Sequence, residues 1–173
     1  MKKKLDFIMR GGLTKRYHCV DTINQQTVAE HSFGVAMLMM LMYDPAGEGG
    51  WATPHALLHD LAEAQVGDIS SPVKRAMPEL KVFLDKAEEA AYQGAGITLA
   101  KLSPRQHRML KLADNMEGML FCCRERYKGN KNIIEVYENF KSYTLALEPQ
   151  GKELELFNTI QEYYYEAVEH SAR

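Results

Sequence analysis

Four side chains that can bind a cation fall on three predicted helices. They are His31, the adjacent pair His59 and Asp60, and Asp114. The spacing of apolar residues puts each of them on or beside the inward face of its helix. Because a buried imidazole or carboxylate without a partner is costly, coordination of one shared cation would satisfy all four groups together.

The donor set indicates the kind of cation and its role. Two imidazoles and two carboxylates leave positions open on an octahedral ion, which is typical of a catalytic rather than a structural site. We therefore expect one divalent ion per site, with Co2+, Mn2+, Mg2+ or Fe2+ as candidates and Zn2+ as a further option. Taken singly, each residue has a plainer interpretation, because a lone buried histidine is more often a hydrogen-bonded core residue.

Helical periodicity dominates the segments that must position these residues. Strand signals are nearly absent, so the fold class we expect is all-α, a bundle of about six to seven helices. A chain of 173 residues matches one compact domain, and we expect that domain to span residues 1–173.

His31 belongs to the clearest helical pattern. Thr27 and Glu30 form a capping box in front of it, and His31, Val35 and Leu38 follow at helical spacing. The other faces of this segment are apolar as well. This pattern predicts a helix that runs through the centre of the domain.

Proline and glycine delimit the remaining elements. Pro54 predicts the start of a helix that reaches about residue 65 and puts His59 and Glu63 one turn apart on one face. A capping box at residues 103–106 starts the helix of Asp114. The other predicted helices cover residues 4–10, 76–93, 133–147 and 152–169, the first being stopped by the glycines at positions 11 and 12.

Composition and charge exclude several classes of partner. The 21 Lys and Arg are balanced by 23 Asp and Glu, and Glu117 and Glu125 interrupt the basic run near residues 105–128, so we expect no nucleic-acid partner. The longest apolar run is far shorter than the roughly 20 residues of a membrane helix, so we expect no membrane association. Three cysteines without CxxC spacing favour a reducing, cytoplasmic compartment.

The sequence resembles the HD-domain phosphohydrolases. The motifs that carry the resemblance are AEHS around His31, LHDLAE around His59 and Asp60, and LADN around Asp114. The segment GDISSPVK at residues 67–74 is similar to the GD-x-PxPxK segment of bacterial 5′-deoxynucleotidases. Lys15-Arg16-Tyr17 lies where that family carries Arg-Trp.

The resemblance implies metal-dependent cleavage of the 5′-phosphoester of 2′-deoxynucleotides, with release of the deoxynucleoside. Short length and the extra basic residue in Lys74-Arg75 favour a relationship to the small phage dATP triphosphohydrolases, which release triphosphate. A phage-encoded protein of this kind would act in the host cytoplasm. The alternatives are a 5′-deoxynucleotidase acting on monophosphates and a non-enzymatic, metal-stabilised nucleotide sensor.

The same resemblance suggests roles for residues around the metal set. Glu63, one turn beyond His59, is our candidate proton donor to the leaving oxygen, although a solvated surface carboxylate is the plainer interpretation. Asp68 would orient water or assist that transfer. The candidate substrate-binding residues are the phosphate clamp Arg16, Lys74 and Lys111, and Tyr17, whose ring would pack on the sugar.

Consecutive tyrosines at positions 163–165 suggest association between copies of the chain. They lie on one predicted helix and cannot all face one core, so some aromatic surface is expected to be exposed. The resembled families form dimers or larger rings. We expect a homo-oligomer, a dimer or a hexamer.

Overall fold

The computed structural model describes residues 1–44 and 46–172, which form nine helical segments and no β-strand. Two segments are only four and six residues long, which leaves seven longer helices, and the prediction of an all-α bundle of six to seven helices is confirmed. The segments are α1 Lys2–Leu13, α2 Val28–Met42, α3 Glu48–Leu58, α4 Glu63–Val66, α5 Ser71–Ala76, α6 Pro78–Ala95, α7 Pro104–Tyr127, α8 Ile134–Leu145 and α9 Lys152–His170.

Helix α7 forms the centre of the main core and packs against α2, α3, α8 and α9. Its buried face includes Met109, Leu112, Met116 and Met119. Both predicted capping boxes are present: Thr27 and Glu30 close the first turn of α2, and the equivalent pair at residues 103 and 106 closes that of α7. These caps fix where the two longest core-forming patterns begin.

Helix α2 is less deeply buried than its sequence predicts. His31 and Val35 are fully enclosed, but Phe33 is 63 % exposed and Leu41 is 62 % exposed. The prediction that α2 runs through the centre is therefore wrong for one of its faces. The reason is that α3 and α7 cover α2 from one side, and among the described residues no helix packs over Phe33 and Leu41.

The paired glycines of α1 do not end the helix, contrary to the sequence prediction. Helix α1 continues through Gly11 to Leu13. A Cβ atom at Gly11 would lie 2.6 Å from the carbonyl oxygen of Leu61 and 2.8 Å from its Cα atom. Glycine is needed here because the backbones of α1 and of the turn after α3 approach each other closely.

The predicted helix from Pro54 to residue 65 is divided into two. Helix α3 begins earlier, at Glu48, carries Pro54 in its interior and ends at Leu58. Residues 59–62 form a turn, and α4 begins at Glu63. The i to i+3 bonds from Leu61 N–H to the Leu58 carbonyl and from Glu63 N–H to the Asp60 carbonyl replace the α-helical pattern there.

Arg108 of α7 is used for internal structure. Arg108 donates two hydrogen bonds of 2.8 Å to the Glu153 carboxylate and further bonds to the carbonyls of Leu147 and Glu148. Such a bidentate pair anchors the start of α9 to α7.

Within the described part of the chain, no helix has the length and apolar character required to cross a bilayer.

We predict that Gly11→Ala destabilises the protein by about 1–3 kcal/mol, because the new methyl group must displace backbone rather than a flexible side chain. The matched control is Gly94→Ala in α6, where a Cβ atom meets nothing within 4 Å and is expected to stabilise the helix by about 0.5–1 kcal/mol. Urea unfolding of the two variants measures the difference. Equal stability of both variants would contradict the close approach.

Candidate metal centre and active site

Three of the predicted ligands come together from three separate elements. His31 of α2, His59 in the turn after α3, and Asp114 of α7 each offer a ligand atom, and these atoms lie within 4.8 Å of one another. The Nε2 atom of His31 is 3.2 Å from Oδ1 of Asp114. Their spacing and mixed nitrogen and oxygen chemistry are those of a divalent-cation site.

The two histidines are oriented for coordination by bonds to their other ring nitrogen. Nδ1 of His31 is 2.6 Å from Oε2 of Glu117, and Nδ1 of His59 is 2.9 Å from the Ala56 carbonyl. Both Nε2 atoms are buried and have no hydrogen-bond partner among the described residues. Because Nδ1 is engaged with an acceptor, the Nε2 lone pair is directed into the cluster, and the residues fit a metal ion.

Asp60, the fourth predicted ligand, lies between the histidines but is held by a cation of the protein. Its Oδ1 atom is 3.3 Å from His59 Nε2, and its Oδ2 atom is 3.5 Å from His31 Nε2. Arg16 donates a hydrogen bond of 2.6 Å to the same Oδ2 atom. The group of three ligands above does not include Asp60, so its place in the metal set stays a prediction.

Tyr92 of α6 supports the turn that carries His59 and Asp60. Its hydroxyl group lies within hydrogen-bond reach of the carbonyls of Leu58 and His59, at 3.1 Å for the second. Because the helix is interrupted here, these carbonyls lack their usual helical partners. A side chain from another helix therefore supplies the donor, a long-range contact for which no local sequence pattern is a signal.

Glu117 is a further residue that the sequence analysis did not identify as part of the site. It is 3 % exposed and accepts a hydrogen bond of 2.8 Å from Gln26 in addition to its contact with His31. Its position three residues after Asp114 puts both on one face of α7. That spacing from Asp114 is the signal that could have identified Glu117 as a site residue. The sequence analysis noted Glu117 only as an interruption of a basic run.

The loop before α2 is fixed at its base and along its length. Arg16 N–H donates to the Gln26 carbonyl at 3.0 Å, which closes the base. Glu125, fully buried on α7, accepts from the backbone N–H groups of Ile23 and Asn24 at 2.6 and 2.8 Å. These bonds hold Arg16 at the edge of the cluster.

Burial and charge divide the carboxylates of the site into two classes. Although burial acts to raise the pKa of Asp114, Lys111 and His31 hold that pKa well below its usual range. For Asp60, the nearby His59 and Arg16 likewise outweigh burial and lower the pKa. Glu63 differs, because burial, reinforced by Asp60 and by Asp68, raises its pKa to about 8. Two ionised carboxylates thus face one that holds its proton at neutral pH.

Glu63 lies at the site, as the sequence predicted, but it does not share a continuous helix with His59. The interpretation as a solvated surface carboxylate is wrong, because the side chain is only 8 % exposed and its Oε2 atom is buried without a partner among the described residues. However, Glu63 is the first residue of α4 and not part of a continuous helix with His59. The turn, rather than helical spacing, brings it beside Asp60.

The three predicted phosphate-binding cations act on the same cluster. Lys111 Nζ is 2.7 Å from Asp114 Oδ2, and its side chain is more than half exposed. Lys74 lowers the pKa of Glu63 and thus lies within electrostatic range of it, as does Arg16. Asp68 Oδ2 is 3.4 Å from His18 Nδ1 at the edge of this group.

Tyr17 is held in an unusual conformation. Its φ angle of 58° lies in the left-handed region, which non-glycine residues seldom adopt outside functional sites. One face of its ring stacks on Phe121 at 4.4 Å between centroids. The ring also lines a cavity beside the site, so contact with a sugar stays a prediction for its remaining surface.

An all-helical bundle that joins two histidines and an aspartate around a buried site, ringed by cations, has the architecture of an HD-type metal-dependent phosphohydrolase. The profile of the family described as 5′-deoxynucleotidase YfbR-like matches residues 3–162. The chain belongs to this family, which confirms the predicted class of enzyme.

Curated relatives include two enzymes of phages. A dATP triphosphohydrolase of Salmonella phage PMBT28 is 29 % identical over 149 residues, which cover 79 % of this chain and 75 % of the relative. A dATP triphosphohydrolase of Cyanophage S-2L is 32 % identical over 117 residues, covering 65 % of this chain and 66 % of the relative. A 5′-deoxynucleotidase of Yersinia pseudotuberculosis is 24 % identical over 169 residues, covering 86 % of this chain and 85 % of the relative.

Solved structures share the fold. The PH0347 protein of Pyrococcus horikoshii OT3 has a TM-score of 0.75 at 22 % identity and covers 94 % of this chain and 99 % of its own. The Cyanophage S-2L HD phosphohydrolase, bound to dA and one catalytic Zn2+ ion, has a TM-score of 0.64 at 23 % identity and covers 95 % of each chain.

We predict that Glu117→Gln weakens metal binding about 10- to 100-fold, because the His31 ring loses the carboxylate that orients it. The measurement is a titration of metal-stripped protein with Zn2+ or Co2+ in the presence of a competing chelator. The matched control is Glu125→Gln, a buried carboxylate on the same helix that does not contact either histidine. Equal metal affinities for the two variants would show that Glu117 has no specific role.

Proposed function

We propose that this protein is a divalent-metal-dependent phosphohydrolase that cleaves the 5′-phosphoester of 2′-deoxynucleotides and releases the deoxynucleoside. The preferred reaction is hydrolysis of dATP to deoxyadenosine and triphosphate. The observation that carries the proposal is the juxtaposition of His31, His59 and Asp114, with the Nε2 atoms of both histidines buried and without a hydrogen-bond partner among the described residues.

His31, His59 and Asp114 would hold the cation, with Asp60 as a further ligand once Arg16 moves to a phosphate. When bound, a divalent ion supplies Lewis-acid chemistry, because it lowers the pKa of water and screens phosphate charge. The remaining catalytic work belongs to the chain itself.

Glu63 is the proposed general acid. A water molecule attacks the α-phosphorus and loses a proton to solvent, the bond from phosphorus to O5′ breaks, and the proton of the Glu63 carboxyl group passes to O5′. Solvent then returns a proton to Glu63. Burial keeps that proton on Glu63 at neutral pH, as this role requires. Asp68, at the edge of the site, would orient the attacking water.

Arg16 and Lys111 would bind the phosphate chain. Both already pair with carboxylates of the site, Asp60 and Asp114, so a phosphate exchanges one anion for another without leaving a cation unpaired. Lys74 adds a third positive charge near Glu63. Three cations beside one metal centre favour a polyphosphate over a monophosphate.

The second candidate is hydrolysis of deoxynucleoside monophosphates. The family profile and the Yersinia relative, both named as 5′-deoxynucleotidases, favour it. The two phage relatives named as dATP triphosphohydrolases have higher identity to this chain and favour the first reaction.

The substrate panel separates these candidates. Metal-stripped protein, with Zn2+, Co2+, Mn2+ or Mg2+ restored, is incubated with each deoxynucleoside mono- and triphosphate, and products are resolved by chromatography. We expect deoxyadenosine and intact triphosphate from dATP, and loss of metal binding and turnover in His59→Ala. Release of orthophosphate from monophosphates alone would establish the second candidate. Tight nucleotide binding without any product would instead establish a sensor.

The role of Glu63 predicts a distinctive pH profile. The kcat of the wild type should fall about tenfold per pH unit above about 8, because the ionised carboxylate cannot donate a proton. Glu63→Gln should lower kcat about 10²- to 10⁴-fold and remove this limb while metal binding persists. Glu89→Gln, an exposed carboxylate of α6, is the control. A limb that survives in Glu63→Gln would assign the proton to another group.

A further inference from the structure

A cavity of about 440 Å3 opens beside the metal centre. One wall consists of the loop before α2, with Arg16 and Tyr17, together with Asp68. The opposite wall is α8, which contributes no predicted metal, catalytic or phosphate-binding residue. The volume is within the usual range for pockets that bind small molecules. Because the cavity shares Arg16 and Asp68 with the reaction site, one ligand can occupy both.

The wall formed by α8 combines apolar and polar groups on one helical face. Glu135, Val136, Asn139 and Phe140 all line the cavity, at spacings of three to four residues. Val136 and Phe140 offer apolar surface suited to the plane of a ring. Glu135 and Asn139 offer hydrogen-bonding groups suited to the edge of that ring.

Both polar groups are available to a ligand. In the described part of the chain, neither the Glu135 carboxylate nor the Asn139 amide has a hydrogen bond or an ion pair with another residue. Glu138, one position before Asn139, contrasts with them, because it lies 3.7 Å from Lys141 on the exposed side of α8. Glu135 and Asn139 thus line the cavity, with Glu135 also exposed to solvent, whereas Glu138 is exposed and does not line it.

The α8 wall is held rigidly. A Cβ atom at Gly118 would lie 2.6 Å from the ring of Phe140, so that ring sits directly on the α7 backbone. Tyr137, fully buried, stacks on Tyr164 of α9 at 3.5 Å between centroids. Asn130, just before α8, donates to the Asp21 carbonyl at 2.9 Å and ties this wall to the opposite loop. A wall held in place in this way can discriminate between bases by their shape and by the hydrogen-bonding groups along the ring edge.

We propose that Asn139 and Glu135 select the nucleobase of the substrate and favour adenine, an inference that rests on the proposed function. An asparagine amide can accept from the adenine N6 amino group and donate to an adjacent ring nitrogen in one plane. The Glu135 carboxylate accepts from the same amino group, and it repels the O6 carbonyl oxygen of guanine. The purine ring itself packs against Val136 and Phe140.

The test measures base selectivity separately from catalysis. For the wild type, Asn139→Leu, Glu135→Gln and the control Glu138→Gln, kcat/KM is determined with dATP and dGTP at saturating metal. Equilibrium binding of deoxyadenosine and deoxyguanosine, which lack phosphate, is measured by calorimetry with the same proteins. Thermal unfolding and metal affinity report whether each variant is intact, and Asn139→Asp provides a second variant that keeps the side-chain shape.

We expect the ratio of dATP to dGTP activity to fall about tenfold or more in Asn139→Leu, and to fall in Glu135→Gln, with no change in Glu138→Gln. Nucleoside binding should change in parallel. Unchanged ratios in the Asn139 and Glu135 variants would overturn the inference while leaving the proposed function intact. If the wild type hydrolysed no deoxynucleotide, the proposed function would fail, and the nucleoside binding data alone would then support or overturn the base-selecting role.

Discussion

The rest of this structure depends on one constraint, which is that several charged side chains are packed together in a space with little access to water. His31 is buried, and Asp60 and Asp114 are largely shielded from solvent where α2, α7 and the turn after α3 meet, so an unpaired ion there would cost far more than in water. Each charged group is therefore paired: Arg16 with Asp60, Lys111 with Asp114, and Glu117 with His31. The first two pairs are also those that a metal ion and a phosphate can exchange with, because each joins a cation to a carboxylate of the site.

The interruption of α3 serves the same requirement at the level of the backbone. A continuous helix through residue 65 would fix the relative directions of Asp60 and Glu63 by helical spacing, about 60° apart on one face. The turn at residues 59–62 replaces that spacing with i to i+3 bonds and starts α4 at Glu63, beside Asp60. The turn leaves backbone carbonyls without their helical partners, which is unfavourable. The hydroxyl group of Tyr92, on α6, lies within hydrogen-bond reach of two of these carbonyls and compensates for the loss. Gly11 allows α1 to pack directly against the same turn.

Local signals in the sequence were sufficient for the helices that begin with caps and for the inward placement of His31 and Asp114 on them. The capping boxes of α2 and α7 depend on four adjacent residues, so propensity alone locates them, and His31 and Asp114 follow from the apolar spacing behind them. The turn after His59 and the role of Gly11 depend instead on contacts between distant segments. A Gly-Gly pair is the same in sequence whether it ends a helix or admits a neighbouring backbone. Glu117 likewise shows its role only once α2 lies beside α7.

The groups proposed to select the base and those proposed to act on the phosphoester lie on different elements. The groups proposed to hold metal and phosphate come from α2, α5, α7, the loop before α2 and the turn after α3. Ion pairs link those around His31, so a change in one disturbs the others. Helix α8 contacts the opposite end of the cavity and shares no ion pair with that cluster among the described residues. Substitutions on its cavity face can therefore alter the base that fits without altering the chemistry at phosphorus. We therefore infer that selectivity for the base and reactivity toward the phosphoester are separable, because among the described residues α8 is joined to the charged cluster by packing on α7 and by the bond from Asn130 to the loop before α2, and by no ion pair.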